Sequence, residues 1–264
     1  MKKLAVLYLF LFLNCSIISA QSINNLYLNF GGSYSDFQDV KYSTVQYGGI
    51  GGLISAGFEK RQSKAIWDAG FSMNIASEKA TTHDSGNAFV LHPNLYLQYL
   101  SRVKEGLYIG GRWDILDFYY RNVSGLGNNS TYYISSSNLS VSAEYIYQKF
   151  RFGLDLCLLS YQKENTSFGF STPQNALEEG EFGYQNDDLD NPFGFKYYQL
   201  KPIGQQFTIR TQIKYQFTER FSLGYQWTMN QFAEVKNYPV TYGNHWVTAR
   251  FNILHKEKGF EKED

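Results

Sequence analysis

The chain has 264 residues and a formal net charge of zero, and 18% of its residues are aromatic, including 22 Tyr and 21 Phe. No basic stretch is large enough to suggest a nucleic-acid partner, and 23 Gly against 5 Pro disfavour a disordered chain. Beyond the first 20 residues the only cysteine is Cys157. An internal disulfide and a metal site built from several thiolates are therefore excluded.

The first 20 residues have the features of a secretory signal peptide. Lys2 and Lys3 precede an apolar run from Leu4 to Leu13, and Ser19–Ala20 supplies small residues for cleavage. The alternative is a lipoprotein signal cut before Cys15. After this segment no apolar run approaches the roughly 20 residues of a membrane helix. If the mature chain enters a membrane, it must do so as a closed barrel.

About ten segments then alternate between apolar and polar residues, which is the period of a β-strand. In chain order they are Asn24–Tyr34, Gly48–Lys60, Lys64–Ala76, Ala88–Arg102, Gly106–Tyr119, Tyr132–Gln148, Phe150–Tyr161, two within Gln205–Phe232, and Tyr242–Leu254. The eighth shows the pattern clearly, since Phe207, Ile209 and Ile213 share one face. Arg210 and Lys214 lie on the opposite face.

The connections between these strands alternate in length. Short turns are expected near Arg61–Ser63, Val103–Glu105, Lys149 and Thr218–Arg220, and long loops at Ser35–Tyr47, Ser77–Asn87, Tyr120–Ser130, Gln162–Pro202 and Gln231–Thr241. A meander with short turns at one end and long loops at the other is typical of outer-membrane barrels. A soluble sandwich or barrel has little reason to sort its connections in this way.

Two features indicate which face of the strands meets lipid. The polar face is rich in glycine and serine, which make room for larger side chains inside a narrow barrel. Aromatic residues recur on the apolar face beside the short turns, at Phe58, Trp67, Tyr99, Tyr145, Tyr147, Phe152, Tyr215, Phe217 and Phe221. Rings at one level form the girdle of a membrane–water interface. We therefore expect the apolar face to contact lipid and the polar face to line the lumen.

On this pattern the chain resembles Gram-negative outer-membrane β-barrel proteins from about Asn24 to Leu254. The resemblance implies an all-β, antiparallel, up-and-down transmembrane barrel of about ten strands, with short periplasmic turns and long extracellular loops. Its partners would be outer-membrane lipid, periplasmic chaperones and the barrel insertion machinery. The chain divides into a signal peptide (1–20), the barrel (21–255) and a charged periplasmic tail (256–264). Such barrels usually end on an aromatic residue, whereas here Leu254 is followed by HKEKGFEKED.

The polar face carries charged residues of both signs that would meet in the lumen. They are Glu59, Asp68, Arg112, Asp114, Glu144, Asp155, Arg210, Lys214 and Arg250. Buried charges need partners, so we predict an ion-pair network that fills a narrow interior. The alternative is a selective path for small solutes or ions.

The histidines give only weak candidates for catalysis. His83 and Asp84 are adjacent in a long loop, and omptin-type surface proteases use an Asp–His pair at the extracellular mouth. His92 on the lumen face would need a nearby serine to act as a lipid hydrolase. We interpret the first pair as a solvated turn and His92 as a hydrogen-bonding residue of the lumen. Four scattered histidines have no metal-ligand spacing, so neither a metal nor a cofactor is expected.

The longest loop is the best candidate for binding. A loop of about 40 residues is too long to serve only as a connection. It combines acidic and aromatic residues, which include Phe182, Tyr184, Asp187, Asp188, Asp190 and Phe193. Aromatic rings could stack on sugars or contact a protein, and clustered carboxylates could bind a divalent cation. We therefore expect a non-enzymatic barrel that acts through its surface loops or as a partner in an envelope complex. A narrow channel and a surface hydrolase are the alternatives.

Overall fold

The computed structural model describes residues 22–39, 46–81, 86–124, 130–168, 198–235 and 238–258. These residues form eleven strands: β1 Ser22–Asp39, β2 Gln46–Gln62, β3 Ala65–Ala80, β4 Asn87–Lys104, β5 Leu107–Ser124, β6 Ser130–Tyr147, β7 Phe150–Phe168, β8 Gln199–Pro202, β9 Gln206–Thr218, β10 Phe221–Val235 and β11 Tyr238–Lys258. Among the described residues, no helix is long and apolar enough to cross a membrane.

The strands form one antiparallel sheet that closes on itself. Each strand from β1 to β7 pairs with the next, and β9, β10 and β11 continue the series. The sheet closes where β1 pairs with β11, from Ser22 opposite Lys258 to Asp39 opposite Val240. A closed wall leaves no sheet edge with unpaired backbone groups, which is the condition for a β-structure to cross lipid.

Two of the eleven strands share one position in the wall. The lower part of β7 pairs with β9, up to Leu156 opposite Ile209. Its next part pairs with β8, from Leu159 opposite Pro202 to Gln162 opposite Gln199. The wall therefore has ten strand positions, and one of them is broken at 203–205. The predicted fold class, an antiparallel up-and-down barrel of about ten strands, is confirmed.

The outward face of the wall is apolar and the inward face is charged. Phe30, Ile54, Leu139 and Leu158 are each between 46% and 49% exposed, whereas Arg210 is 8% exposed. Every residue of the predicted aromatic girdle belongs to the outward-facing set of its strand. The predicted orientation, with apolar side chains toward lipid and charged side chains in the lumen, is confirmed.

The strands continue past the predicted loop boundaries at the long-loop end, and there the polarity of the two faces reverses. In β1 the outward residues become Asp36 and Gln38, while Phe37 points inward and is 5% exposed. In β3 the outward Ser77 and Lys79 are likewise polar and exposed. This end of the barrel is a water-facing extension whose interior is mostly aromatic and aliphatic, with Arg121 and Glu78 as a buried charged pair. The prediction that strands end near Tyr34 and Ala76 was wrong, because it assumed one polarity along each strand.

Candidate functional site in the barrel lumen

Near the short-turn end, one carboxylate is shared by three arginines. Glu59 is 1% exposed, and its oxygens lie 2.8 Å from Arg151, 3.2 Å from Arg61 and 3.5 Å from Arg250. Glu144 accepts two hydrogen bonds from Arg151, at 3.0 and 2.9 Å. Arg151 thus bridges β2 and β6 across the lumen, and this cluster ties together strands that are not neighbours in the wall.

A second layer of charges lies further along the lumen. Arg112 donates to Asp114 at 2.8 Å, and Arg210 lies 3.3 Å from Asp155 and 3.6 Å from Asp114. The two arginines and two aspartates balance in charge. They compensate one another inside the barrel, which is the arrangement that burial of charge requires.

Between these layers, Asp68 is held by hydroxyl groups rather than by an arginine. Tyr27 donates to Asp68 at 2.8 Å, and Tyr96 donates to it at 3.4 Å. Both rings lie over Gly70, where a Cβ atom would come within 3.0 Å of each hydroxyl oxygen. Glycine on the lumen face therefore makes room for large side chains, as the sequence indicated.

His92 lies deeper in the barrel, next to a buried carboxylate. Its Nε2 is 2.6 Å from Asp117, whose other oxygen accepts from Asn138 at 3.1 Å. A bulge in β5 between Asp114 and Asp117 turns both carboxylates inward. Among the described residues, His92 Nδ1 is buried without a hydrogen-bond partner. The histidine is enclosed by rings and by its own carboxylate partner.

Above His92 the lumen is filled by a cluster that we call the aromatic plug. It consists of Phe37, Ala76, Val90, Tyr119, Tyr132, Ile134, Phe232, Val240 and Tyr242, all 5% exposed or less. Tyr119 stacks on Tyr242 with ring centroids 4.4 Å apart. Arg121 lies between the rings of Phe37 and Tyr47, at 4.3 and 4.1 Å, and donates to the fully buried Glu78 at 3.0 Å.

Below the plug, the described residues line two cavities of about 80 Å³ each. The first, which we call the vestibule, opens at the short-turn end and is lined by Glu59, Arg61, Arg151, Lys214, Arg250 and His255, among others. The second lies deeper and is lined by Asp68, Arg112 and Arg210. Lys214 and Arg250 line both cavities. At the same end, the lumen beside β3, β4 and β5 is filled by a buried apolar cluster of Ile66, Leu100 and Tyr108.

Known proteins resemble this chain only at the level of the fold. No family model and no curated protein match the sequence. The translocator domain of the autotransporter NalP from Neisseria meningitidis has a TM-score of 0.49 and 9% identity, covering 89% of this chain and 89% of that one. Neisserial surface protein A scores 0.39 with 12% identity, covering 88% and 99%. The Escherichia coli outer membrane protease OmpT scores 0.42 with 7% identity, covering 89% and 97%.

None of these scores reaches 0.5, so the assignment depends on the chain's own geometry. The wall closes through the β1–β11 and β7–β9 pairs, its outward face is apolar, and its charges are enclosed. The chain has the fold of an outer-membrane β-barrel. Such closed barrels are the β-structures that cross membranes, and in bacterial envelopes they occupy the outer membrane with their short turns in the periplasm. By this general pattern the vestibule, at the short-turn end, corresponds to the periplasmic end of such barrels, and the aromatic plug to the outer end.

The structure describes some of the predicted site residues and not others. All nine charged residues predicted for the lumen lie inside the barrel, and eight of them have a hydrogen bond or ion pair described above. Lys214 is the exception. His83, Asp84 and the six predicted loop residues from Phe182 to Phe193 lie outside the described residues, so their roles stay predictions. The predicted set omits Arg61, Arg151 and the aromatic plug. For the plug, a signal was present in the sequence. The alternation with period two continues through Ser35–Asp39, but there the apolar residue Phe37 occupies the inward face.

Proposed function

We propose that this barrel is a non-enzymatic scaffold that acts through its extracellular loops or as a partner in an envelope complex. The mature chain would begin after cleavage near Ala20. The observation that carries this proposal is the aromatic plug, because it fills the lumen at the end that faces the outside. When the interior of a barrel is packed, a partner can contact only its loops and its outer wall.

The plug also weighs against the alternative of a narrow channel. Water-sized spaces remain below it, but within the described residues each cavity has only about 80 Å³. Ions crossing the barrel would have to pass rings that are 5% exposed or less. They would then meet two layers of arginine–carboxylate pairs. Ten strands give a lumen little wider than the eight-stranded barrels that side chains fill completely.

The hydrolase alternative has less support from the geometry. His92 and Asp117 form a pair at 2.6 Å, but their side chains are only 5% and 6% exposed. Ser136 contacts Asp117, but its hydroxyl donates to the backbone carbonyl of Asp117 and not to the histidine. A hydrolytic His–Asp pair needs a nucleophile and access for substrate. His92 is better explained as a structural member of the lumen network.

Conductance in planar bilayers tests whether the lumen is closed. We expect the refolded barrel to insert without producing unit current steps, because the plug spans the lumen. An open porin, inserted into the same membrane, is the positive control for insertion and detection. Stable unit steps from this barrel would overturn the closed-lumen part of the proposal and favour the channel.

Crosslinking on intact cells tests the loop part of the proposal. The aromatic variant changes Phe182, Tyr184 and Phe193 to serine, and its matched control changes Asp187, Asp188 and Asp190 to asparagine. We expect the aromatic variant to lose the crosslinked partner at unchanged surface level, because buried aromatic anchors dominate interface energetics. The acidic variant should retain it. Equal partner recovery with wild-type and aromatic-variant barrels would contradict this assignment.

A further inference from the structure

The periplasmic vestibule carries more cationic than anionic charge on its walls. Its lining includes four cationic side chains, from Arg61, Arg151, Lys214 and Arg250. The buried carboxylate in the lining belongs to Glu59, and Glu144 lies behind Arg151. The remaining acidic group, Glu219, is at the rim and its side chain is 74% exposed. Asp68, the next carboxylate inward, also acts on Lys214 and Arg250. Four enclosed cations therefore face three carboxylates, which leaves an excess of one positive charge.

The one carboxylate inside this lining has no capacity left for a further cation. Oε1 of Glu59 is 3.2 Å from Arg61 and 3.5 Å from the amide of Asn25. Oε2 is 2.8 Å from Arg151 and 3.5 Å from Arg250. Each carboxylate oxygen accepts about two hydrogen bonds, so both oxygens are saturated.

Two donors in the vestibule lack an acceptor within the part of the chain that the structure describes. Arg61 Nε is buried without a hydrogen-bond partner. The half-buried Lys214 makes no ion pair or hydrogen bond there either, although the charges of Asp68 and Glu144 act on it. The next carboxylate inward, Asp68, already accepts from Tyr27 and Tyr96. A buried cationic donor without an acceptor, such as Arg61 Nε, is costly. An anion that enters the vestibule would accept from it and from Lys214.

We propose that the vestibule binds a small oxyanion, such as free phosphate or a carboxylate, from the periplasm. Oxygen acceptors of the anion would take the free donors of Lys214 and Arg61, and charge-assisted hydrogen bonds of this kind are the strong ones. A cavity of about 80 Å³ is several times the roughly 10–15 Å³ that one water needs. The space is therefore sufficient for a small ion. The aromatic plug makes the vestibule a blind site, which binds the anion and does not pass it.

Calorimetric titration with inorganic phosphate tests this site. The refolded full-length barrel, in an uncharged detergent, is titrated with sodium phosphate and separately with sodium chloride at equal ionic strength, which controls for screening. We expect saturable binding of phosphate at one site per barrel. Lys214→Met should weaken phosphate binding about tenfold or more, the effect of one charge-assisted hydrogen bond. Lys60→Met, an outward-facing lysine next in sequence to Glu59, should leave it unchanged.

A second variant makes the test independent of the folding of the first. Arg61→Gln removes the unpartnered Nε donor and should also weaken phosphate binding, while heat-modifiable migration on gels confirms that each variant is folded. Absence of saturable phosphate binding to the wild-type barrel would overturn the proposal. So would equal phosphate affinity in the Lys214 and Lys60 variants.

Discussion

Glu59→Gln is expected to lower the free energy of unfolding by about 3–5 kcal/mol, the usual cost of breaking a buried ion pair from one side. Glu59 is 1% exposed and is the shared acceptor of Arg61, Arg151 and Arg250. Glutamine keeps the shape and one acceptor oxygen but removes the negative charge. Three guanidinium groups would then face one another with only Glu144 to offset them.

Urea unfolding of the refolded barrel in micelles measures this loss, and Glu219→Gln is the matched control. Glu219 is 74% exposed, so its replacement should change the free energy of unfolding by less than about 0.5 kcal/mol. Combining Glu59→Gln with Arg250→Gln should recover part of the lost stability, because one uncompensated cation leaves the cluster. Similar stability in the Glu59 and Glu219 variants would show that water in the vestibule already solvates the arginines.

The architecture of the barrel could be predicted from the sequence because the membrane imposes one simple constraint, which is that alternate residues of each strand face lipid and the lumen. A residue such as Ile209 faces lipid and its neighbour Arg210 faces the lumen, and this order repeats along each strand inside the bilayer. Girdle residues such as Trp67 and Tyr147 mark the short-turn end, because aromatic rings concentrate at a membrane–water interface. Alternation, turn length and girdle position are all local properties, so a single sequence reveals them.

The water-facing extension was not predictable by the same rule, because the solvent changes along the strand. Beyond Tyr34 the outward neighbours of the barrel are water, so Asp36 is outside and Phe37 inside. The sequence retains its period of two, but the change of polarity made this segment look like a loop. The break in the wall at 203–205 was not predicted either, because the short strand β8 lies within the segment predicted as a long loop.

The candidate site depends on contacts across the lumen, which no local pattern specifies. Glu59 and Arg151 are 92 residues apart in sequence, and Glu59 and Arg250 are 191 apart. Which charges meet depends on how the strands stagger around the wall and on bulges such as that between Asp114 and Asp117. The sequence could therefore name the charged residues of the lumen but not the excess of arginine around Glu59 or the unpartnered Lys214.

Replacing Tyr119 or Tyr242 with alanine is expected to cost about 3–5 kcal/mol of unfolding free energy for each variant, as for other large buried aromatics. Both residues are 5% exposed or less, and their rings stack at 4.4 Å. The walls around them are held by paired strands and cannot collapse fully into the space of a lost ring. Phe89→Ala is the control, because Phe89 points outward and is 48% exposed.

The double variant reveals whether the two rings act as one unit. Its loss should fall short of the sum of the single losses by about 0.5–1.5 kcal/mol, since each single variant already removes the stacking of the pair. Additive losses would mean that the rings contribute separately. A cost below about 1 kcal/mol for either single variant, similar to that of Phe89→Ala, would mean that the plug is loosely packed. Such a plug would no longer support a lumen closed by packing, and the channel alternative would regain support.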